Sequence, residues 1–308
     1  MKILLTGATG LVGTALSREL STQGHDLVIL SRDSKKAKRR LEIEAQYYNW
    51  QPETEIPPVA ALQDLDAVVH LAGESIATKR WTKQQKNRIR NSRILSTRYL
   101  VQGLLKHHGQ KKLTLISASA VGFYGDTKDN IVSEETKAEE NSFLVEVCQE
   151  WEKEAANLQA GQPEARVVHL RIGLVLSAAG GILEKLAKVF NLGGGAILGN
   201  GKQWMSWIHQ NDLVSLISFL LHSTSLSGAF NATAPQPVTN REFTVALAKA
   251  LRRPVFLKVP SSFLRLTFRE MADLFLSSTR AVPKRALQSG FHFQFESIES
   301  AFEDLLSN

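Results

Sequence analysis

The chain has 308 residues and a formal net charge of +7, with 43% hydrophobic and 22% charged residues. This composition predicts a globular protein with a large core, arranged as one two-lobed unit or as two domains. The sequence has no apolar run that could span a membrane, no signal-peptide pattern, and one cysteine, Cys148, which excludes an intramolecular disulfide. We therefore expect a cytoplasmic protein without a membrane partner.

A glycine-rich turn is predicted between the first strand and the first helix. An apolar strand over residues 1–5 leads into TGATGLVG at residues 6–13, and a helix runs from residue 11 to a stop at Gly24. Glycine allows the backbone to approach a phosphate closely, and a helix N-terminus offers N–H groups to an anion. The turn therefore predicts dinucleotide binding, whereas the alternative is a purely structural turn. The expected contacts are Gly7, Thr9, Gly10, Leu11, Val12 and Gly13.

The end of the second strand, predicted over residues 26–30, indicates which dinucleotide binds. An acidic residue at this position favours NAD, and a basic residue accommodates the 2′-phosphate of NADP. The sequence here is Ser31-Arg32-Asp33. We assign Arg32 to the 2′-phosphate with help from Ser31, which predicts NADP(H) as the cofactor. Asp33 is the competing interpretation, because a shift of one position would reverse the preference.

Strands and helices are then predicted to alternate as far as residue 172. Strands are expected at 46–50, 66–73, 112–117 and 166–171, and helices at 82 to about 108 and 142–158. This order predicts an α/β fold of the Rossmann type, a doubly wound parallel sheet with a smaller interleaved lobe. We expect an NADP-binding domain at residues 1–172, completed by about 205–233, and a substrate-binding lobe at 173–204 and 234–308. His70, inside the fourth strand, is expected to pack in the interior.

Residues 234–308 are predicted to be mainly helical. A capping box at Thr239 and Glu242 opens a helix that ends near residue 251. A strand is expected after Pro254, followed by an apolar helix at 263–276 and a closing amphipathic helix from Ser297.

The predicted helix at 82–108 and its flanks are strongly basic. Residues 75–125 contain eleven lysines and arginines and no aspartate or glutamate. This charge suits an anionic cofactor or small-molecule substrate, and it would also suit nucleic acid bound along residues 79–98; a solvated helix face is the plain alternative. The chain has no helix-turn-helix spacing, zinc ligand set or aromatic RNA-binding motif. Nucleic acid is therefore the least favoured partner, and no metal site is expected.

The glycine turn, the segment HLAG at 70–73, the segment ASAVGFYGD at 118–126 and the segment WIHQND at 207–212 together resemble the extended short-chain dehydrogenase/reductase superfamily. That superfamily includes nucleotide-sugar epimerases. The resemblance covers nearly the whole chain. It implies that Leu71, Ala72, Gly73 and Ser117 lie at the cofactor, and that Ser119 and Tyr124 face the substrate.

The catalytic tyrosine and lysine of that superfamily are missing from this sequence. Aligned with their helix, residues 142–158 have Leu144 and Cys148 at the two places. The chain thus resembles an atypical branch of "epimerase family" proteins without the Tyr/Lys pair. Tyr124 precedes Lys128 by four residues, but Gly125 and Asp126 predict a loop there, so the two do not form a helical pair.

Ser119 and Tyr124 remain the catalytic candidates, and Arg171 and His209 are secondary ones. Cys148 could be a nucleophile, but Glu146 and Glu150 nearby would raise the pKa of its thiol, so we expect a buried structural cysteine. The leading hypothesis is an NADP(H)-binding oxidoreductase or epimerase-like enzyme for a small molecule. The alternative is a catalytically impaired NADP(H)-binding sensor or scaffold. Neither the substrate nor the oligomeric state follows from these residues.

Overall fold

The computed structural model describes residues 1–109, 112–138 and 141–307. Its strands are β1 (Lys2–Thr6), β2 (Asp26–Ser31), β3 (Gln46–Asn49), β4 (Ala67–His70), β5 (Thr114–Ala120), β6 (Ile131–Val132), β7 (Arg166–Ile172), β8 (Leu174–Leu176), β9 (Ala196–Leu198), β10 (Trp204–Met205), β11 (Trp207–His209), β12 (Gly228–Ala232), β13 (Val238–Thr239), β14 (Leu257–Val259) and β15 (Arg280–Ala281). Its helices are α1 (Leu11–Thr22), α2 (Ser34–Leu41), α3 (Lys83–His107), α4 (Phe143–Gly161), α5 (Gly181–Asn191), α6 (Gln210–His222), α7 (Asn240–Ala250), α8 (Ser261–Phe268), α9 (Asp273–Leu276), α10 (Lys284–Gln288) and α11 (Ile298–Leu306). Short 3₁₀ turns occur at Val59–Ala61, Val121–Tyr124 and Arg269–Ala272.

The central element is a seven-stranded sheet in the order β12-β7-β5-β4-β1-β2-β3. Every neighbouring pair in this sheet is parallel. Side chains alternate between its two faces, so Ile3 and Leu5 pack in one apolar cluster with α1 and α6, and Leu4 packs in another with α3 and α4. Both faces are therefore buried, which confirms the predicted Rossmann-type fold.

The parallel sheet brings the predicted site segments to one edge. The glycine turn follows β1, Arg32 follows β2, Leu71 follows β4, and Ser119 lies at the end of β5. Because all seven strands point the same way, these carboxyl ends form one continuous edge, where ligands bind in open α/β sheets. β5 begins and ends later than predicted, so Ser119 belongs to the strand and pairs in register with Arg171 of β7.

A smaller apolar cluster lies beside this edge. It is built largely from β8, β11, α5, α7 and α11, and in it the rings of Phe243 and Phe302 meet edge to face at 5.1 Å. The helix predicted over residues 263–276 is wrong as a single element. It is broken after Phe268, because Arg269 has a φ of 52°, which an α-helix does not accept.

None of the helices in the described residues is both long and apolar enough to cross a bilayer.

Candidate functional site

The glycine turn between β1 and α1 leaves no room for side chains. Gly7 has a φ of +69°, and a Cβ atom there would lie 2.7 Å from the carbonyl carbon of Leu71. A Cβ atom at Gly13 would lie 2.2 Å from the carbonyl oxygen of Gly7. The backbone is therefore packed directly against residues 71–72 at the end of β4.

The first turn of α1 is open to an anion. Gly10 is the N-cap, no side chain caps the helix, and its first turn contains no acidic residue. The free N–H groups and the positive end of the helix dipole therefore meet no competing group from the helix itself. Thr9, Leu11 and Val12 are partly exposed around this turn. The turn fits a pyrophosphate, which needs a backbone without side chains beside a helix N-terminus.

The end of β2 separates the roles of Arg32 and Asp33. The Asp33 carboxylate is the N-cap of α2 and accepts a hydrogen bond of 2.9 Å from the Lys36 N–H. Ser31 Oγ is hydrogen-bonded to the Asp33 backbone, with Oγ to carbonyl oxygen at 3.2 Å and backbone N to Oγ at 3.3 Å. Arg32 is exposed and forms no ion pair with any residue in the described ranges. The basic side chain is thus available to a ligand, while the acidic one already starts a helix.

The end of β4 is held by a buried histidine. His70 Nδ1 lies 2.7 Å from Thr6 Oγ1, and its Nε2 lies 3.0 Å from Thr97 Oγ1 on α3. Burial lowers the pKa of His70 to about 3, so the ring is neutral and cannot act as a base near neutral pH. Thr6 Oγ1 also accepts a 3.3 Å hydrogen bond from the Ala72 N–H. His70 therefore packs inside the protein, as predicted, and fixes the segment that borders the glycine turn.

A large cleft of about 1580 Å³ opens between the sheet edge and the smaller lobe. Leu71 and Gly73 line it near the glycine turn, and Ser119 lines its floor. Ser117 is not a lining residue; it is 1% exposed inside β5, so its side chain does not open on the cleft, and its place at the cofactor stays a prediction. Ser117 lies three residues before the end of β5, between its register partners His70 of β4 and His169 of β7, whereas Ser119 on the same face is nearer the carboxyl end of the strand.

Ser119 is anchored by a buried ion pair beneath the floor of the cleft. Its hydroxyl donates a hydrogen bond of 2.7 Å to Glu152 Oε1 on α4. The same carboxylate accepts two hydrogen bonds from Arg171, at 2.8 and 2.9 Å. An ionised carboxylate can only accept, so Ser119 uses its own proton toward Glu152. Ser119 is only 3% exposed, but unlike Tyr124 it lines the cleft, where its oxygen is left as an acceptor.

Tyr124 is a structural residue, and its prediction as a group facing the substrate is wrong. Its side chain is 3% exposed and does not line the cleft. The hydroxyl donates to Asn231 Oδ1 at 2.7 Å and accepts from Arg171 Nη1 at 2.9 Å. Burial raises its pKa, although Arg171 opposes this. Both hydrogen-bonding functions of the phenol are thus used inside the protein.

The segment after Tyr124 and the cysteine of α4 are both as predicted. Tyr124 and Lys128 do not share a helix, as expected, because Tyr124 ends a 3₁₀ turn and Lys128 has a φ of 53°. Cys148 is buried, as expected, and its pKa is raised to about 12. The first cause is burial and the second is Glu152, rather than the sequence neighbours named above. Leu144 and Cys148 both line the cleft, and neither side chain carries the hydroxyl or ammonium group of the missing pair.

The secondary candidates have structural roles. Arg171 is 5% exposed and joins Glu152 to Tyr124. His209 caps α6 through Nδ1, which accepts from the Asn211 N–H at 3.1 Å, and its ring stacks on Phe295 with centroids 3.8 Å apart. Burial lowers the pKa of His209.

The basic helix α3 presents one of its faces to the cleft. Lys83, Lys86, Arg90 and Arg93 follow one another at intervals of three or four residues, and all four line the cleft. In the sequence these side chains stand out only as positive charge. Their helical spacing is the signal that could have placed them on one wall of the cleft. Lys111, another basic residue of the 75–125 segment, lies outside the described residues.

Comparisons with known proteins agree with this architecture. The model of the NAD dependent epimerase/dehydratase family matches residues 3–232, and a domain of unknown function, DUF1731, matches residues 259–305. The epimerase family protein Mb2239 of Mycobacterium bovis is 40% identical over 300 residues, which cover 97% of this chain and 95% of that protein. The epimerase family protein YfhF of Bacillus subtilis is 36% identical over 308 residues, covering 100% and 99%. A crystal structure of the human epimerase family protein SDR39U1 (isoform 2) with NADPH has a TM-score of 0.87 and 27% identity, and each chain is covered fully. The chain therefore belongs to the NAD dependent epimerase/dehydratase family, as its motifs predicted.

Proposed function

We propose that this protein is an NADP(H)-dependent oxidoreductase or epimerase-like enzyme that acts on a small molecule in the cleft. The observation that carries the proposal is the pair of groups at the sheet edge. The glycine turn gives a phosphate cradle without side chains, and Arg32 is free because Asp33 caps α2. The human relative crystallised with NADPH supports the same cofactor.

In this proposal the cofactor phosphates are bound at two places. Residues 7–13 bind the pyrophosphate through backbone N–H groups, and Arg32 with Ser31 binds the 2′-phosphate. Leu71, Ala72 and Gly73 border the cofactor on the side of β4. A charge-assisted hydrogen bond of the Arg32 kind contributes about 1.5–3 kcal/mol, a preference for NADP(H) of about ten-fold to over a hundred-fold.

The bound nicotinamide supplies hydride transfer, and the residues of the cleft floor orient the substrate. Ser119 offers an accepting oxygen, since its proton is bonded to Glu152. A substrate hydroxyl or amine that donates to Ser119 Oγ is therefore favoured over a carbonyl, which could only accept. This polarity favours a substrate that enters in its hydroxyl or amino form.

A sensor or scaffold that binds NADP(H) without turnover is the competing function. It is favoured by one observation, namely that no tyrosine lines the cleft in the described parts of the chain and that Tyr124 is bonded internally. A single measurement, turnover of the bound cofactor, distinguishes the two functions. An enzyme oxidises or reduces its cofactor with some member of a panel of alcohols and carbonyl compounds, whereas a sensor binds NADPH and changes it with none of them.

The first experiment is thermal unfolding with NADPH, NADH, NADP and NAD. A ligand at about a hundred times its Kd stabilises the folded state by roughly 2.7 kcal/mol, which raises the melting point by several degrees. Arg32→Ala should lose most of the preference for NADPH over NADH. Arg39→Ala removes the same charge from an exposed position of α2 and should keep that preference. The proposal fails if no dinucleotide stabilises the wild type, or if both variants behave alike.

A further inference from the structure

Two of the cleft-facing cations of α3 form no ion pair within the described residues, the exposed Lys83 and the partly buried Arg93. Lys86 Nζ lies 3.1 Å from Glu270, and Arg90 Nη2 lies 2.6 Å from Glu150. Arg93 forms no ion pair with any residue that the structure describes. Burial lowers the pKa of Arg93, and the charge of the nearby Glu74 offsets this only in part. The guanidinium has therefore lost water without gaining a directly bonded counter-charge, which is unfavourable in a protein.

The guanidinium of Arg93 is held in place by groups that carry no charge. Its Nη1 donates to the carbonyl oxygen of Ile89 at 3.0 Å, and its Cζ lies 5.2 Å from the centre of the Trp151 ring. A Cβ atom on Gly73 would touch Nη2 at 3.4 Å, so the absence of a side chain at Gly73 keeps space beside this nitrogen. Within the described residues, Nη2 and Nε donate to no acceptor. The planar group is thus oriented, and two of its donor atoms remain free for a ligand.

We infer that Arg93 forms a second anion-binding site in the cleft, which takes a carboxylate or phosphate group of the substrate. This inference rests on the proposed function and narrows its substrate class to anionic hydroxy or amino compounds. A planar guanidinium with two free donor atoms matches the paired oxygens of a carboxylate or phosphate. The apolar ring of Trp151 below it strengthens the interaction by keeping water away.

The position of Arg93 favours the substrate over the cofactor as the source of this anion. The cofactor phosphates are assigned to the glycine turn and to Arg32, at the ends of β1 and β2. Arg93 belongs to α3 and contacts Gly73 on the cleft side of β4, and it lines the same cavity as Ser119. A substrate bound here would have its anionic group on α3 and its donor group at Ser119.

The test is isothermal titration calorimetry with oxalate and with inorganic phosphate, on the protein with and without saturating NADPH. We compare the wild type with Arg93→Gln, Arg93→Lys and Arg88→Gln. Arg88 lies on the same helix and is exposed outside the cleft, so its variant removes an equal charge from the helix without touching the site. Thermal unfolding without ligand reports whether each variant is folded, and NADPH affinity is measured in the same samples.

The expected result is saturable binding of at least one of the two anions to the wild type and to Arg88→Gln. Arg93→Gln should weaken it by at least about ten-fold, with Arg93→Lys in between, while NADPH affinity stays the same in all four proteins. Equal anion affinity in Arg93→Gln and the wild type, or no saturable binding to the wild type, would overturn the inference. A matching loss of NADPH affinity in Arg93→Gln would also overturn it, because the anion would then belong to the cofactor. If the wild type bound oxalate through Arg93 but did not bind NADPH, the proposed function alone would fail.

Discussion

The Arg171–Glu152 pair beneath the cleft gives the sharpest stability prediction. The two side chains are 6% and 12% exposed and are joined by two hydrogen bonds. Glu152→Gln keeps the shape of the side chain but leaves the buried Arg171 without a counter-charge. Breaking such a pair by removing one partner costs about 3–5 kcal/mol. We expect a loss of this size in the free energy of unfolding, measured by urea denaturation.

The control is Glu150→Gln on the same helix. Glu150 pairs with Arg90, but these side chains are 40% and 50% exposed, so the expected loss is below about 1 kcal/mol. Adding Arg171→Met to Glu152→Gln should recover part of the stability, because it removes the unpaired charge. If Glu152→Gln destabilises no more than Glu150→Gln, or if the double variant is simply additive, the buried pair does not hold the site as argued.

Three other predictions concern the glycine turn, His70 and Cys148. Gly13→Ala should abolish stabilisation by NADPH, because its Cβ would lie 2.2 Å from the carbonyl oxygen of Gly7. Gly10→Ala should weaken that stabilisation less, because its Cβ would lie 3.2 Å from the same oxygen. Equal effects of the two variants in a thermal shift assay would contradict the geometry. Because the folded pKa of His70 is about 3 and the ordinary value is 6.5, the stability that neutral His70 contributes is present above pH 6.5 and is lost as the pH falls toward 3. As the pH falls across that range, His70 should lower the free energy of unfolding by up to about 1.4 kcal/mol for each pH unit. His70→Asn should flatten this dependence on pH, and an unchanged slope in the variant would contradict the assignment. With a pKa of about 12, Cys148 should be a thiolate in about one molecule in ten thousand at pH 8, so iodoacetamide should label it only after unfolding, and rapid labelling of the native protein would show that the thiol is accessible.

Much of the fold was predictable because its signals are local. The glycine turn, the alternation of strands and helices, and the apolar strand that contains His70 can all be read from short stretches of sequence. The prediction of a single helix at 263–276 was wrong because of the backbone conformation of one residue. Nothing in the residue type of Arg269 reveals its positive φ.

The catalytic candidates could be predicted only in part, because their partners are distant in sequence. Tyr124 bonds to Asn231, 107 residues away on β12, and Ser119 bonds to Glu152, 33 residues away on α4. The register of β5 with β7 sets Ser119 opposite Arg171, and no motif in either strand encodes that pairing. Sequence reasoning therefore found Ser119 but could not show which way its proton points.

The helix cap at Asp33 has a consequence for engineering the cofactor preference. A designer who wished to convert the protein to NAD would be drawn to the carboxylate already present next to Arg32. That carboxylate starts α2, and redirecting it to a ribose would release the Lys36 N–H and destabilise the helix by about 1 kcal/mol. The easier route introduces a new acid at residue 32 and leaves residue 33 alone. The acidic neighbour that made the sequence ambiguous is thus a fixed part of the scaffold, and the two adjacent positions can evolve separately.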